Sequence, residues 1–283
     1  MRRGLSRVLD ATEQKALLDL ARTVALEAGA LVAERRRGHV EVAATKHNAI
    51  DVVTDADRAS ERLIHDRILA ERPGDGFLGE EGASVASTTG VTWVVDPIDG
   101  TVNFLYGLPQ YAVSIAAAVD GEPVVGVVLD VAKGELFTAT KGGGAFLEGE
   151  HERRLAVRPV PPLAESLVLT GFNYDRDVRA GQARAMAVLL PEVRDIRRLG
   201  SAALDLCAVA SGRADAYVEE GLHPWDGAAG GLIATEAGAR LQVLTGAGGL
   251  DCYVCAPAGG YDRFLDLVRR AGLVREQNAD NPR

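Results

Sequence analysis

The sequence predicts a mixed protein whose first half is α+β with an antiparallel sheet and whose second half is α/β. Three observations carry this. Residues 111–119, 123–131 and 135–140 read as successive strands separated by Asp120-Gly121 and Lys133-Gly134 turns, an antiparallel meander. Residues 166–170, 180–190, 193–196 and 201–210 instead alternate strand with helix. Between the two patterns stand Pro159, Pro161 and Pro162, which preclude both a helix and a central strand. The boundary is therefore expected there, with subdomains at 1–158 and 159–283.

The remaining elements follow in order. Residues 1–10 show little periodicity. A long amphipathic helix opens at Thr12 and buries Leu17, Leu20, Ala21, Val24, Leu31 and Val32; Arg35-Arg36-Arg37 complement its dipole and Gly38 stops it. A weak strand at 40–45 leads through Lys46-His47-Asn48 to an acidic segment, Asp51 to Asp57, that enters a second helix at 56–70. Asp55 and Asp57 sit where acids also serve simply as caps. Residues 76–81 form a short strand ending in Glu80-Glu81. Lys141-Gly142-Gly143-Gly144 follows a strand without the lysine-serine pair of a P-loop, so it is a hairpin turn. Beyond the prolines, Ser201 begins a helix that it can cap, and residues 214–218 form a strand delivering Glu219. Asp226 heads another helix, 250–255 is a last buried strand, 261–271 a last helix and 277–282 a polar tail expected to be disordered.

Composition excludes several functions. A formal net charge of −9 disfavours binding to nucleic acid or anionic membranes, which need basic surfaces. No segment approaches the roughly 20 apolar residues of a membrane span, and Met1 to Ser6 is not followed by the apolar run of a signal peptide, so a cytoplasmic protein is expected. The 3 cysteines, Cys207, Cys252 and Cys255, cannot make a disulfide framework. Cys252 and Cys255 lie on a strand, which sends positions three apart to opposite faces, and are read as structural.

The chemistry is expected at residues 93–104, where a β-branched strand runs into Asp96-Pro97-Ile98-Asp99-Gly100-Thr101. Pro97 is expected to end the strand at Asp96 and stiffen the exit. Two carboxylates three residues apart across a rigid turn can converge, and convergent carboxylates repel unless neutralised by protons or cations. A hard divalent cation is the natural partner. Gly100 lets backbone approach a ligand, and free N–H groups at a helix starting from Thr101 favour a phosphate. Asp-Pro and Asp-Gly also occur in ordinary turns, but Gly79-Glu80-Glu81 upstream and Trp225-Asp226-Gly227 downstream repeat the acidic theme.

Together these segments resemble the inositol monophosphatase family of magnesium-dependent phosphatases, whose two signature motifs read here as residues 93–104 and 225–238, with landmarks from 17 to 270. The resemblance implies a layered αβαβα sandwich, the sugar phosphatase fold, and two or three Mg2+ ions. It implies that Glu80, Asp96 and the Ile98 carbonyl hold one ion, that Asp96, Asp99 and Asp226 hold the second, and that any third binds near Glu80. Asp57 and Thr101 would orient and deprotonate the attacking water, with Glu81 beside Glu80. Gly100 and Thr101 would meet the phosphate, while Ser201, Ala202, Glu219 and Asp226 would meet the substrate hydroxyls. Lys46 matches a basic residue near this region, and His223, with no serine or cysteine nucleophile to serve, is read as structural. The implied substrate is a phosphorylated polyol, foremost inositol monophosphate, with histidinol phosphate, fructose 1,6-bisphosphate and adenosine 3′,5′-bisphosphate as alternatives. A homodimer is implied too. A rival reading makes the protein a binding factor, because a bacterial member of the family acts in ribosomal RNA transcription through protein partners.

Overall fold

The structure is a computed structural model that describes residues 9–38, 40, 42–45, 52–149 and 151–275. Lys46, the segment start at Asp51, residues 1–8 and the expected polar tail at 277–282 lie outside the described residues. In chain order the elements are α1 (Ala11–Arg37), β1 (Val42–Thr45), β2 (Val52–Thr54), α2 (Asp55–Glu71), β3 (Gly76–Gly79), β4 (Ser84–Val85), β5 (Val91–Asp99), α3 (Thr101–Tyr106), β6 (Ala112–Val119), β7 (Glu122–Asp130), β8 (Glu135–Thr140), β9 (Gly144–Glu148) and β10 (Arg153–Arg154). There follow β11 (Leu167–Thr170), α4 (Arg176–Leu189), β12 (Asp195–Arg197), α5 (Ala202–Ala210), β13 (Ala216–Glu220), α6 (Pro224–Glu236), β14 (Ala239–Thr245), β15 (Asp251–Pro257) and α7 (Tyr261–Arg270).

An 8-stranded sheet runs β10-β9-β8-β7-β6-β5-β3-β4, and a 5-stranded sheet runs β12-β11-β13-β15-β14. The meander β5 to β9 is antiparallel throughout, whereas β3 pairs parallel to β5 and β11 parallel to both of its neighbours. Helices α1 and α2 cover one face of the large sheet, α5 and α6 lie between the sheets, and α7 with α4 covers the outer face of the small sheet. That order makes five layers, αβαβα.

Alternation along each strand sorts side chains between layers. Trp93 and Val95 of β5 join the core under α1 and α2, while Val94 joins the core beneath α5 and α6. Cys255 belongs to that central core and Cys252 to the outer one, so the two cysteines face opposite ways and both are free and buried, as their strand spacing predicts. Small residues let α6 come close. A Cβ on Gly126 of β7 would lie 2.8 Å from the Ala229 carbonyl, and one on Gly230 would lie 3.0 Å from the Ala203 carbonyl. This close docking brings the N-terminal end of α6, with Asp226, down onto the large sheet.

Three details differ from expectation. Strand β5 does not end at Asp96 but continues to Asp99, with the pairing to β6 shifting between Asp96↔Ser114 and Asp99↔Ala112. Three steps on β5 thus oppose two on β6, a bulge that takes up Pro97, which has no N–H for the ladder. Helix α1 is capped by Asp10, whose Oδ1 accepts the Glu13 N–H at 2.8 Å, and Gly38 closes it in extended rather than left-handed geometry. Strand β14 is missing from the sequence reading altogether. As an edge strand it keeps Arg240, Val243 and Thr245 exposed and buries only Ala239 fully, although Ala239, Leu241 and Val243 alternate with Arg240 and Gln242 along the chain.

Candidate active site

Four elements deliver the acids to one place. The bulged end of β5 supplies Asp96 and Asp99, the turn after β3 supplies Glu80, the start of α6 supplies Asp226 and the start of α2 supplies Asp57. Asp96, Asp99 and Asp57 are buried at 2%, 7% and 0% exposure, so none can be read as a solvated turn acid. Their surroundings show the strain of that burial. Burial, then the charges of Glu80, Asp99 and Asp226, push the Asp96 carboxyl well above the usual range. Burial followed by Glu80 and Asp99 does the same to Asp226, although the His223 N–H donates to it at 2.6 Å. Asp99 is raised to about 7, chiefly by burial, against hydrogen bonds from Ser201 and Ala203 that favour its charged form.

Local geometry explains how each carboxylate is held. Asp96 Oδ1 accepts the Ile98 N–H at 3.0 Å, which closes the bulge over Pro97. Asp99 Oδ2 accepts from the Ser201 hydroxyl at 2.6 Å and from the Ala203 N–H at 2.7 Å, with the Ala202 N–H at 3.3 Å from Oδ1. The N-terminus of α5 thus grips Asp99. Gly100 caps α3 at φ 93°, a left-handed conformation, and a Cβ there would meet the Gln110 carbonyl at 2.8 Å. Only glycine fits.

Thr101 and Asp57 form the expected pair. The Thr101 hydroxyl lies 3.0 Å from Asp57 Oδ1 and 3.1 Å from the Ile98 carbonyl, so its single proton can go to either acceptor. Asp57 Oδ2 meanwhile accepts the Thr54 N–H at 2.8 Å and the Thr54 hydroxyl at 2.5 Å. Asp57 therefore caps α2 with one oxygen and faces Thr101 with the other. Burial raises it to about 6, with Glu80 adding to the rise and the Thr54 and Thr101 hydrogen bonds opposing it.

Glu219 stands on β13 with the Tyr217 hydroxyl donating to Oε2 at 2.9 Å. Burial raises its pKa while Tyr217 and Arg198 hold it down. A Cβ on Gly171 would lie 1.9 Å from Glu219 Oε1, so that glycine is what admits the carboxylate. Glu81 occupies the position after Glu80, and its N–H is bound by Glu61. Ser201 is 1% exposed and committed to Asp99, besides capping α5 through Leu204. His223 sits at the head of α6, stacked on Trp225 at 4.9 Å between ring centroids. Three partners escaped the sequence reading: Ser60, Glu61 and Tyr217. The first two lie three and four residues past Asp57, on its face of α2, and that spacing was the available signal.

Among the described residues no three acidic, histidine or cysteine side chains are already drawn into one metal-ligating cluster. The donor set nevertheless suits a hard cation, because it consists of carboxylate and carbonyl oxygens whose negative charges lie close enough to raise one another's pKa.

The family model for the inositol monophosphatase family matches residues 13–271. The chain belongs to the inositol monophosphatase family. Inositol-1-monophosphatase SuhB of Mycobacterium tuberculosis is 47% identical over 276 residues, covering 91% of this chain and 95% of that protein. The solved structure of Mycobacterium tuberculosis SuhB superposes with a TM-score of 0.80 at 45% identity, covering 93% of this chain and 99% of the other. A relative from Escherichia coli K12, named Nus factor SuhB, is 40% identical over 232 residues, covering 81% of this chain and 86% of its own. As a member of the inositol monophosphatase family the chain is a phosphatase, and the αβαβα layering predicted from the resemblance is the fold observed. No helix among the described residues is long and apolar enough to cross a membrane.

Proposed function

We propose that the protein hydrolyses a phosphate monoester with Mg2+, most directly inositol monophosphate to inositol and phosphate. The observation that carries this is the convergence of Glu80, Asp96, Asp99 and Asp226 from three separate segments beside the Thr101–Asp57 pair. When bound, magnesium supplies the positive charge that offsets the phosphate and lowers the pKa of water. Glu80, Asp96, the Ile98 carbonyl, Asp99 and Asp226 would hold two ions, with a third near Glu80. Asp57, at about 6, is mostly ionised at neutral pH and can take a proton relayed by the Thr101 hydroxyl, which passes its own proton to Oδ1. Gly100 and Thr101 offer backbone N–H groups to the phosphate. Glu219, steadied by Tyr217, would accept hydrogen bonds from ring hydroxyls, with Ser201 and Ala202 nearby at the head of α5.

The names of relatives as inositol-1-monophosphatase support this substrate over histidinol phosphate. We also infer a cytoplasmic homodimer, inhibition by lithium competing for a cation position, and subdomains divided at residue 158. A second reading, a transcription-associated role through protein partners, rests on relatives named Nus factor SuhB. The full carboxylate set favours hydrolysis, because buried repelling acids are costly in a chain used only for binding. Phosphate release from purified protein decides it. Turnover of inositol 1-phosphate that needs Mg2+, vanishes with chelator and exceeds turnover of histidinol phosphate is expected; hydrolysis indifferent to chelator, or faster with histidinol phosphate, overturns the assignment.

A further inference from the structure

Helix α2 carries a buried carboxylate that has no part in the chemistry above. Glu61 is 5% exposed, and it does not sit in an apolar void. Its Oε2 accepts the Glu81 N–H at 2.7 Å and its Oε1 accepts the Ala83 N–H at 3.1 Å. The two oxygens of one side chain thus bind two amides of the turn that opens with Glu80. From the other side, the Glu80 N–H donates to the Val95 carbonyl at 3.2 Å and the Gly79 N–H to the Ala83 carbonyl at 2.8 Å.

Gly79 is built around this contact. A Cβ there would fall 2.2 Å from Glu61 Oε2, so any other residue at position 79 displaces the carboxylate. The same face of α2 reaches the second acidic segment. Asp57 receives Thr101, and the Ser60 hydroxyl donates to the Pro97 carbonyl at 3.1 Å inside the β5 bulge. Positions 57, 60 and 61 are neighbours on a helix surface. One rigid face therefore grips both the turn bearing Glu80 and the turn bearing Asp96 and Asp99, adding to the ladder between β3 and β5 and to the bond from the Glu80 N–H to the Val95 carbonyl.

We propose that Glu61 is a positioning residue that fixes the Glu80 turn against the Asp96 turn, so that the backbones carrying the acids are set in place before a cation draws the carboxylates together. Acids that repel one another would spread if their backbone could move, and the Glu81 and Ala83 amides are where that movement is stopped. The inference rests on the metal-dependent reading above, and its test separates the two.

Glu61→Gln in the full-length protein keeps the shape of the side chain but leaves one oxygen for two amides and turns an N–H toward the other. Gly79→Ala displaces the same carboxylate from the β3 side and leaves the α2 sequence unchanged, its Cβ also lying 2.9 Å from Phe77 Cε1. Amide hydrogen exchange and calorimetric Mg2+ titration, both run without substrate, report on the turn and the cation site. Both variants are expected to exchange the Glu81 and Ala83 amides at least tenfold faster and to bind Mg2+ about ten- to a hundredfold more weakly. Turnover should follow as a raised Mg2+ requirement with a smaller change in kcat. Wild-type exchange at Glu81 and Ala83 together with wild-type Mg2+ affinity in either folded variant overturns the proposal. If Glu61→Gln does not fold, Gly79→Ala decides. If the wild-type protein binds no Mg2+, the metal reading fails, and faster exchange at the two amides in the variants still supports the positioning role while unchanged exchange overturns it.

Discussion

Replacing Ser201 with alanine tests whether that hydroxyl serves the carboxylate cage or the substrate. In the structure its proton goes to Asp99 Oδ2 at 2.6 Å, and its oxygen accepts the Leu204 N–H at 3.3 Å. Loss of the first bond removes a charge-assisted contact of about 1.5–3 kcal/mol. Loss of the second, a long N-cap bond, costs about 0.5–1 kcal/mol, at the low end for caps. The sum, about 2–4 kcal/mol, should lower Tm by about 4–8 °C in a chain of this size, where each kcal/mol is worth about 2 °C. The Asp99 term also acts on the cation. Asp99 stands at about 7 with Ser201 helping to hold it down, so the variant must expel a proton more often before binding Mg2+. The worth of the lost bond translates to about ten- to a hundredfold weaker Mg2+ activation. Differential scanning fluorimetry and Mg2+ titrations of phosphate release measure both effects, and Ser201→Thr, which keeps the hydroxyl, should restore much of each. An unchanged Mg2+ requirement with a raised KM for inositol 1-phosphate would show the hydroxyl facing substrate and refute this reasoning.

Three further outcomes are expected. The metal-free protein should be more stable at pH 5.5 than at pH 8: Asp57 at about 6 and Asp99 at about 7 exceed their ordinary 3.8, so the folded chain holds extra protons and loses stability as pH rises from ~4 to ~7. Thermal melts in chelator measure this, Mg2+ should flatten the dependence, and a melt that rises steadily with pH contradicts it. Asp96→Asn should abolish hydrolysis while keeping or raising Tm, since it removes a buried charge pressed by Glu80, Asp99 and Asp226; near-normal turnover at saturating Mg2+ would remove Asp96 from the ligand set. Glu219→Gln should slow inositol 1-phosphate turnover about ten- to a hundredfold, the worth of a hydroxyl bond to a charged acceptor, and spare a simple aryl phosphate; equal damage to both substrates, with a raised Mg2+ requirement, would make Glu219 a cation ligand.

Much of this architecture was legible because the chain announces it locally. Turns such as Asp120-Gly121 sit between apolar runs of strand length, and the antiparallel pairing follows from them. Asp96, Asp99 and Asp226 stood out because acids at the ends of apolar segments are conspicuous. Glu61 did not, since a glutamate followed by Arg62 in the middle of an amphipathic helix looks like surface charge until Glu81 and Ala83 are seen against it. The commitment of Ser201 to Asp99 was also hidden, because partners 102 positions apart leave no periodic trace. Strand β14 differs again: Ala239-Arg240-Leu241-Gln242-Val243 does alternate, so the local signal for an edge strand is present in the chain.

The bulge in β5 turns residue count into chemistry. Ser114 and Ala112 are two apart and share a face of β6, so their partners Asp96 and Asp99 share a face of β5, although residues three apart in a regular strand point to opposite sides. The pair of acids is thus a matter of parity as much as of composition. A regular ladder through the same residues, with no bulge at Pro97 and Ile98, would leave every acid in the chain yet turn Asp99 toward the core beneath α1.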